Sequence, residues 1–440
     1  MKIPMQIGIR AEDKNEWEAR VPLVPEDIRA LRAQGIAITV QTSLQRAFAD
    51  EEFEQNGIAV ESDIDRSDII LGLKEIPVAK LAPGKIYFIF SHVIKGQAYN
   101  MPMLARMMQL GITLVDYERI VDEGNRRLIF FGRHAGLAGM VNSLWALGRR
   151  LAEENRPNPL SGLRQARTYR DLEQARHAIR AVGKKIENKG LPGDICPLVV
   201  GFAGYGHVSQ GAQEILEHLP VIDIRPSQLQ QLFDDPDRSC NHVYKVVFKE
   251  EDIFQHRDSS QTFDLQEYYR YGAEKYNSVF ERYLAHLTLL INGNYWDERF
   301  PRIFPLESCR ALWKNNQQPR LRVIGDISCD INGSIECTVK PAYPDNPVYV
   351  YHPDSGEVTD GVSGHGPVMM AVEILPTEIP RESSTYFSSV LKQYIPQLVA
   401  ADWQSDFEAL RLPSEIKRAL IIHRGSLTPD YRYLEEYLRK

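Results

Sequence analysis

The sequence predicts an α/β protein of two domains built on parallel sheets, and three observations carry that expectation. A chain of 440 residues exceeds what one ordinary hydrophobic core organises. Residues 5–115 alternate short apolar strands with helical spacing, the βαβα rhythm of a parallel sheet covered by helices on both faces. Residues 198–225 read as a strand, a glycine-rich turn, an amphipathic helix and a second strand, which is the local pattern of a dinucleotide-binding unit.

Taken in order, residues 5–9 form an alternating strand, and 25–34 carry apolar residues at helical spacing until Gly35 stops them. A strand at 36–40 and an acidic helix around 50–55 follow. Apolar strands are predicted at 69–73, 86–90 and 113–115, with a helix through 103–110 and a further strand at 128–131. Small residues at Gly132, Gly136 and Gly139 open a helix suited to close packing, which reads as the crossover between domains. A polar loop at 155–162 leads to a long charged helix over 164–188. Residues 228–263 lack clear periodicity and read as an irregular insertion. Residues 268–291 read as a helix ending in a strand, and 321–327 as an apolar strand. Residues 344–351 are proline-bearing and aromatic, so irregular chain or an edge strand is expected. The last 40 residues read as helical.

Composition narrows the function. Apolar content of 43% with 25% charged residues fits a soluble globular chain, and a net charge of −7 offers no basic footprint for nucleic acid or an anionic membrane. No stretch approaches the roughly 20 apolar residues needed to span a bilayer. The N-terminus enters a strand pattern with no apolar signal core, so a cytoplasmic protein is expected. The five cysteines (Cys196, Cys240, Cys309, Cys329, Cys337) form no C-x-x-C pair, and are expected to be reduced thiols with no metal site.

Chemistry is written at the strand ends. In an open parallel sheet the carboxyl ends share one edge, where ligands bind. Strand 69–73 runs into Lys74-Glu75, strand 86–90 into Ser91-His92, and strand 113–115 into Asp116-Tyr117-Glu118. Three strands thus bring a lysine, a histidine and carboxylates to one rim, although each residue alone reads more simply as a solvated strand end. In the second domain, Gly204-Tyr205-Gly206-His207-Val208-Ser209 occupies the phosphate-binding position. There the first glycine turns the chain and the second admits a pyrophosphate, while the small Ser209 permits close helix packing. A nicotinamide cofactor on that turn requires a substrate site across a cleft, with a positioned proton donor. Lys74 and His92 are the candidates, because a desolvated lysine beside a second cation loses basicity. Arg20 and Arg127 are candidate clamps for substrate carboxylates. For the ribose, Asp223 favours NAD and Arg225 favours NADP. Both lie on one face of the strand; Arg225 is nearer its end, which tips the expectation to NADP(H) over NAD(H).

Six stretches together resemble the lysine–2-oxoglutarate reductases, which form saccharopine. They are IGIRAEDKNEWEARVPLVP, ILGLKEIP, FSHVIKGQ, FAGYGHVSQGAQEILEHLP, LLINGNYWDERFPRI and DISCDINGSIE. The likeness is greatest to the reductase half of the bifunctional aminoadipic semialdehyde synthases. It extends to the fungal lysine-forming saccharopine dehydrogenases and, more remotely, to alanine dehydrogenase. The resemblance implies two Rossmann-like domains with an active-site cleft between them: a substrate domain of residues 1–135 plus about 338–440, and a dinucleotide domain of 136–337. It also implies Lys74 and His92 as an acid–base pair, Arg20 and Arg127 as substrate-carboxylate ligands, Glu75 and Glu118 as modulators, and Asp330 near the nicotinamide. The implied reaction condenses L-lysine with 2-oxoglutarate and reduces the imine to saccharopine. The sequence stops before a saccharopine-cleaving half, so either a separate dehydrogenase takes saccharopine onward or the enzyme runs in the lysine-releasing direction, and an oligomer is compatible with the family. Two positions depart from the family pattern, the Asp223-x-Arg225 pair and His134 in place of an aromatic residue. His134 motivates an alternative, an opine-type or amino-acid dehydrogenase with another amine or keto acid.

Overall fold

A computed structural model describes residues 5–314 and 318–439. The chain divides into two compact units, Met1–Phe131 with Pro380–Lys440, and Gly132–Ile379.

The first unit starts with β1 (Ile7–Ile9), α1 (Pro25–Arg32), β2 (Ile38–Gln41), α2 (Asp50–Gln55) and β3 (Ala59–Glu61). It continues with β4 (Ile69–Leu71), β5 (Ile86–Ile89), α3 (Met101–Gln109) and β6 (Thr113–Asp116). Alternation along the strands divides the apolar residues between two faces. Ile7, Ile9, Leu71, Phe88 and Val115 pack with Ile28 and Leu31 of α1 on one face. Ile70, Tyr87 and Leu114 pack with Met103, Leu104 and Met107 of α3 on the other. Both faces are therefore covered, as a parallel sheet requires.

The second unit opens with α4 (Gly132–Glu153), α5 (Leu172–Lys189), β7 (Leu198–Ala203), α6 (His207–Leu216) and β8 (Val221–Asp223). After α7 (Leu229–Asp234) come β9 (Val243–Phe248), α8 (Glu250–Ile253), β10 (Phe254–His256), α9 (Leu265–Tyr271), β11 (Tyr276–Ser278), α10 (Glu281–Leu284) and β12 (Leu289–Asn292). α11 (Leu306–Lys314), β13 (Val323–Asp326), β14 (Val348–Tyr351), β15 (Val358–Asp360) and β16 (Val368–Met370) complete it. The expected close packing of the small-residue helix is seen between α4 and α6. A Cβ on Gly136 would lie 2.0 Å from the Val208 carbonyl oxygen, and one on Gly211 would lie 2.1 Å from that of Arg133.

The chain then returns to the first unit through α12 (Pro380–Leu391), α13 (Ile395–Ala400), α14 (Ser414–Arg418), β17 (Leu420–His423) and β18 (Ser426–Leu427). Ser384 and Ser388 of α12 accept the backbone amides of Val21 and Val24 at 2.9 and 3.0 Å, which ties this return to the segment before α1. The first sheet has the order β18-β17-β6-β5-β4-β1-β2-β3, parallel from β6 to β3. The second runs β15-β14-β16-β13-β12-β7-β9-β8, parallel from β16 to β8.

Several expectations are corrected. Residues 228–263 are not an irregular insertion: VYKVVF, rich in β-branched residues, forms β9, which lies between β7 and β8. Residues 128–131 form no strand; the chain there makes only a bridge from Arg127 to Val121, while Ile129 packs into the core. The aromatic stretch ending at Tyr351 supplies β14, a fully buried strand paired on both sides, in the second sheet. Residues 338–379 consequently belong to the second unit, and the return to the first begins at Pro380. The C-terminal residues contribute β17, antiparallel to β6, as well as helix. The charged helix begins only at Leu172, where Asp171 caps it by accepting the Gln174 amide. The 268–291 stretch is broken into α9, β11 and α10 before β12. Cys196 and Cys240 are joined in a disulfide across 44 residues, against the expectation of five reduced thiols, because β7 and the start of β9 run side by side. Among the described residues, no helix is long and apolar enough to cross a membrane, and no His/Cys/Asp/Glu cluster is placed to hold a metal.

Candidate active site and dinucleotide site

In the first unit the chain passes from β1 to β2 and β3 on one side of the sheet, then to β4, β5 and β6 on the other. The order reverses between β1 and β4, and such a switch point is where an open α/β sheet binds its ligand. Lys74 leaves the carboxyl end of β4 at this point.

Its backbone is held from β1. Glu12, buried just beyond that strand, accepts the Leu73 amide at 2.8 Å and the Lys74 amide at 3.0 Å. Burial pushes the Glu12 carboxyl above its ordinary value, against the pull of Arg10. The Lys74 ammonium makes no hydrogen bond or ion pair with the described residues. Its basicity is held below the ordinary lysine value first by burial and then by the Arg20 cation, against the opposing carboxylates of Glu18, Glu75 and Glu12.

Arg20 is buried and paired. Its Nε and Nη2 donate to the two Glu18 oxygens at 2.7 and 2.5 Å, and its guanidinium lies 4.5 Å above the Phe131 ring. The Nη1 edge makes no hydrogen bond with the described residues. Glu75 accepts from His92 Nδ1 at 2.8 Å and lies 3.4 Å from the Lys14 ammonium. Burial would raise its pKa, but the contact with His92 outweighs it and brings the carboxyl to about 2. His92 has φ +50°, left-handed backbone that costs a non-glycine residue of the order of 1 kcal/mol. Its ring stacks on Phe90. Ser91 beside it donates its amide, at 3.1 Å, and its hydroxyl to the buried Asp116. Burial lifts the Asp116 carboxyl to about 6. Asp116 also accepts the Glu118 amide at 2.8 Å, and the Glu118 side chain is ion-paired with the exposed Arg127.

The rim read from the strand ends is therefore assembled within one unit. Lys74, Arg20, Glu75 and His92 share one electrostatic neighbourhood, and Glu118 and Arg127 form an adjoining pair. Sequence reading missed Glu12, Glu18 and the Ser91–Asp116 support. The first two lie in the quoted AEDKNEWEAR stretch, but nothing in their spacing shows that they fold back on Lys74 and Arg20.

In the second unit the order reverses between β7 and β12. Gly204 ends β7 with φ +94°, and a Cβ there would lie 2.0 Å from Asn294 Oδ1, just beyond β12. Gly206 caps α6, and a Cβ there would meet nothing within 4 Å, leaving open space over the helix N-terminus. The first turn of α6 points its amides out of the helix N-terminus. Ser209 is buried and accepts from the Gln213 amide group at 3.0 Å. A cavity of about 470 Å³ opens beside the turn, lined by Gly204, Gly206, Glu250, Asn294 and aromatic rings. Backbone, space and dipole fit a dinucleotide pyrophosphate.

The ribose end differs from expectation. β8 is the sheet edge, and β9 separates it from β7. Asp223 is 2.9 Å from the Lys245 ammonium, and Arg225 makes a local hydrogen bond to Gln228. Both line a different cavity, of about 680 Å³, together with Lys249. Asp223 and Arg225 thus line a cavity other than the one beside the glycine turn. Asp330 lies four residues beyond β13 in a turn closed by the Gly333 amide on its carbonyl, 2.9 Å away. His134 is buried inside α4 and lines neither cavity.

A family model of the alanine dehydrogenase/PNT N-terminal domain matches residues 8–138. The sequence is 36% identical over 446 residues to alpha-aminoadipic semialdehyde synthase of Arabidopsis thaliana, across 97% of this chain and 41% of that protein. It is 33% identical to the mitochondrial enzyme of that name from Bos taurus, across 98% and 47%. With saccharopine dehydrogenase (NAD(+), L-lysine-forming) of Emericella nidulans it shares 26% identity, across 89% and 92%. The chain thus spans less than half the length of the semialdehyde synthases it matches. Among solved structures, an L-alanine dehydrogenase matches with a TM-score of 0.63 at 18% identity, over 99% of this chain and 100% of that one. A transhydrogenase from Sinorhizobium meliloti matches at 0.52 and 14%, over 96% and 100%. These two likenesses establish the fold.

Proposed function

We propose, from its likeness to the α-aminoadipic semialdehyde synthases and the lysine-forming saccharopine dehydrogenases, that the chain is a nicotinamide-dependent oxidoreductase joining L-lysine and 2-oxoglutarate to saccharopine. The observation that carries this reading is Lys74, a half-buried lysine with depressed basicity and no ion-pair partner among the described residues, at a switch point beside Arg20 and the Glu75–His92 pair.

Condensation needs the substrate ε-amine neutral, so a base must take its proton. Lys74 serves, because burial and the Arg20 cation lower its basicity and so favour the neutral amine. The amine then adds to the ketone, and the resulting hydroxyl needs a proton to leave as water. His92, oriented by Glu75 and its left-handed backbone, supplies it. Arg20 binds a substrate carboxylate through its open Nη1 edge, while Glu18 fixes the fork. The exposed Arg127 binds a second carboxylate by exchanging its partner Glu118. When bound, a nicotinamide would supply the hydride that reduces the imine carbon. Gly204 and Gly206 with the α6 N-terminus would hold its pyrophosphate, and Asp330 would stand near the nicotinamide end.

Steady-state assay of lysine with 2-oxoglutarate and either reduced nicotinamide dinucleotide tests the proposal. Oxidation that requires both substrates is expected; no turnover from neutral to alkaline pH would overturn it. Substituting other amines, pyruvate or glyoxylate separates it from the opine-type alternative, which a clear preference for lysine ends.

A further inference from the structure

We propose that Glu250 selects the cofactor: its carboxylate binds the adenosine ribose 2′- and 3′-hydroxyls and disfavours a 2′-phosphate, so that this chain prefers NAD(H) to NADP(H). The inference rests on the reading of the second unit as a dinucleotide domain, and it reverses the preference expected from Arg225.

Topology is the first ground. In a doubly wound sheet the ribose carboxylate projects from the end of the strand next to the one that carries the glycine turn. Here that neighbour is β9. It pairs with β7 along its whole length, from Leu198 with Val243 to Ala203 with Phe248, and the Gly204 amide donates to the Phe248 carbonyl at 3.2 Å. Glu250 stands two residues beyond that last pair, level with the phosphate turn.

Side-chain contacts are the second ground. The Tyr205 hydroxyl, from within the turn itself, donates to Glu250 Oε2 at 3.1 Å, and the Tyr269 hydroxyl donates to Oε1 at 2.7 Å. Burial, joined by Glu250, raises the pKa of both tyrosines, so both remain protonated donors. Each carboxylate oxygen keeps a second lone-pair direction for a vicinal ribose hydroxyl. The cavity of about 470 Å³ that contains Glu250 also contains Gly204 and Gly206, and Tyr268, Trp296 and Phe300 give it apolar walls suited to an adenine ring.

Charge is the third ground. Arg299 is the cation lining this cavity among the described residues, and Asp297 takes its Nε and Nη2 at 3.0 and 2.7 Å. Lys249 and Arg225, the cations a 2′-phosphate would need, line the other cavity with Asp223, Glu251 and Asp252. A 2′-phosphate in this cavity would therefore meet the Glu250 carboxylate, while the cation that lines it among the described residues is held by Asp297.

Equilibrium titration of the full chain with NADH and NADPH, followed by calorimetry, tests this. Wild type is expected to bind NADH at least about tenfold more tightly, the scale of a like-charge clash. Glu250→Ser and Glu250→Arg are each expected to lower or reverse that ratio, with far-ultraviolet circular dichroism checking their fold. Tighter binding of NADPH by wild type, or a ratio unmoved by folded Glu250 variants, overturns the proposal alone. A ratio that shifts with Arg225→Ala instead of Glu250→Ser overturns it too. Binding of neither dinucleotide overturns both this proposal and the functional reading beneath it.

Discussion

Glu12 offers the sharpest test of how Lys74 is held. Replacing it by alanine removes the acceptor for two backbone amides, Leu73 at 2.8 Å and Lys74 at 3.0 Å, and a charge 3.3 Å from Arg10. Hydrogen bonds to a charged group are worth about 1.5–3 kcal/mol each, so the gross loss is roughly 3–6 kcal/mol. Part is offset, because Glu12 itself is costly to bury. Its folded pKa lies above its unfolded value, so the proton-linked stability is present at low pH and is lost as pH rises through the folded pKa. At neutral pH the carboxylate therefore carries a penalty that alanine relieves, and a net loss of roughly 2–4 kcal/mol remains. Glu12→Gln keeps the size and one acceptor, avoids the charge penalty and should cost about 1 kcal/mol. Hydrogen exchange read by mass spectrometry on the peptide covering residues 69–76 reports the effect locally. Glu12→Ala should lose protection there far more than in residues 198–203, and turnover should fall with dinucleotide affinity intact. Unchanged protection and turnover would refute the claim that β1 holds Lys74 in place.

Lys74→Met and His92→Gln should each lower turnover by about 10²-fold or more while leaving the dinucleotide dissociation constant within twofold; wild-type turnover in either removes that residue from the acid–base pair. The Glu75 carboxyl is depressed from 4.5 to about 2, so its stabilising contribution is present above the unfolded value and disappears as pH falls from about 4.5 towards 2. Acid unfolding of Glu75→Gln should accordingly be flatter across that window, and an identical acid limb would contradict the pairing with His92. Gly204→Ala must accept a left-handed backbone and a 2.0 Å approach to Asn294. Dinucleotide affinity should fall by about 10²-fold or more, with little change in hydrogen exchange of residues 69–76; retained affinity would show that the turn is not the phosphate site.

Local pattern made much of the protein legible. Each parallel strand is a short, doubly buried apolar run, and at Lys74, His92 and Glu118 the polar residue after that run marks the edge where ligands bind. Gly204 and Gly206 were readable because the turn's demands on φ and on open space are local. Other features needed partners distant in sequence. VYKVVF carries a strand signal of its own, yet only sheet pairing places it between β7 and β8. That insertion brings Glu250, two residues past β9, beside the glycine turn and leaves Asp223 and Arg225 at the sheet edge.

By itself the sequence determined the α/β class, the two-unit organisation, the rim of Lys74, Glu75 and His92, and the position of the glycine turn, because periodicity and strand-end chemistry act over a few residues. Only the tertiary structure decided that Glu12 holds the Lys74 backbone, that Glu18 grips Arg20, that Cys196 meets Cys240, and that Glu250 rather than Asp223 stands beside the phosphate turn. Glu12 and Cys196 meet groups far along the chain, Glu18 meets Arg20 two residues away in the local turn, and the last is a strand order. None leaves a periodic mark in the chain: the long-range pairings and the strand order depend on which elements become neighbours when the sheets close, and the turn contact has no repeat.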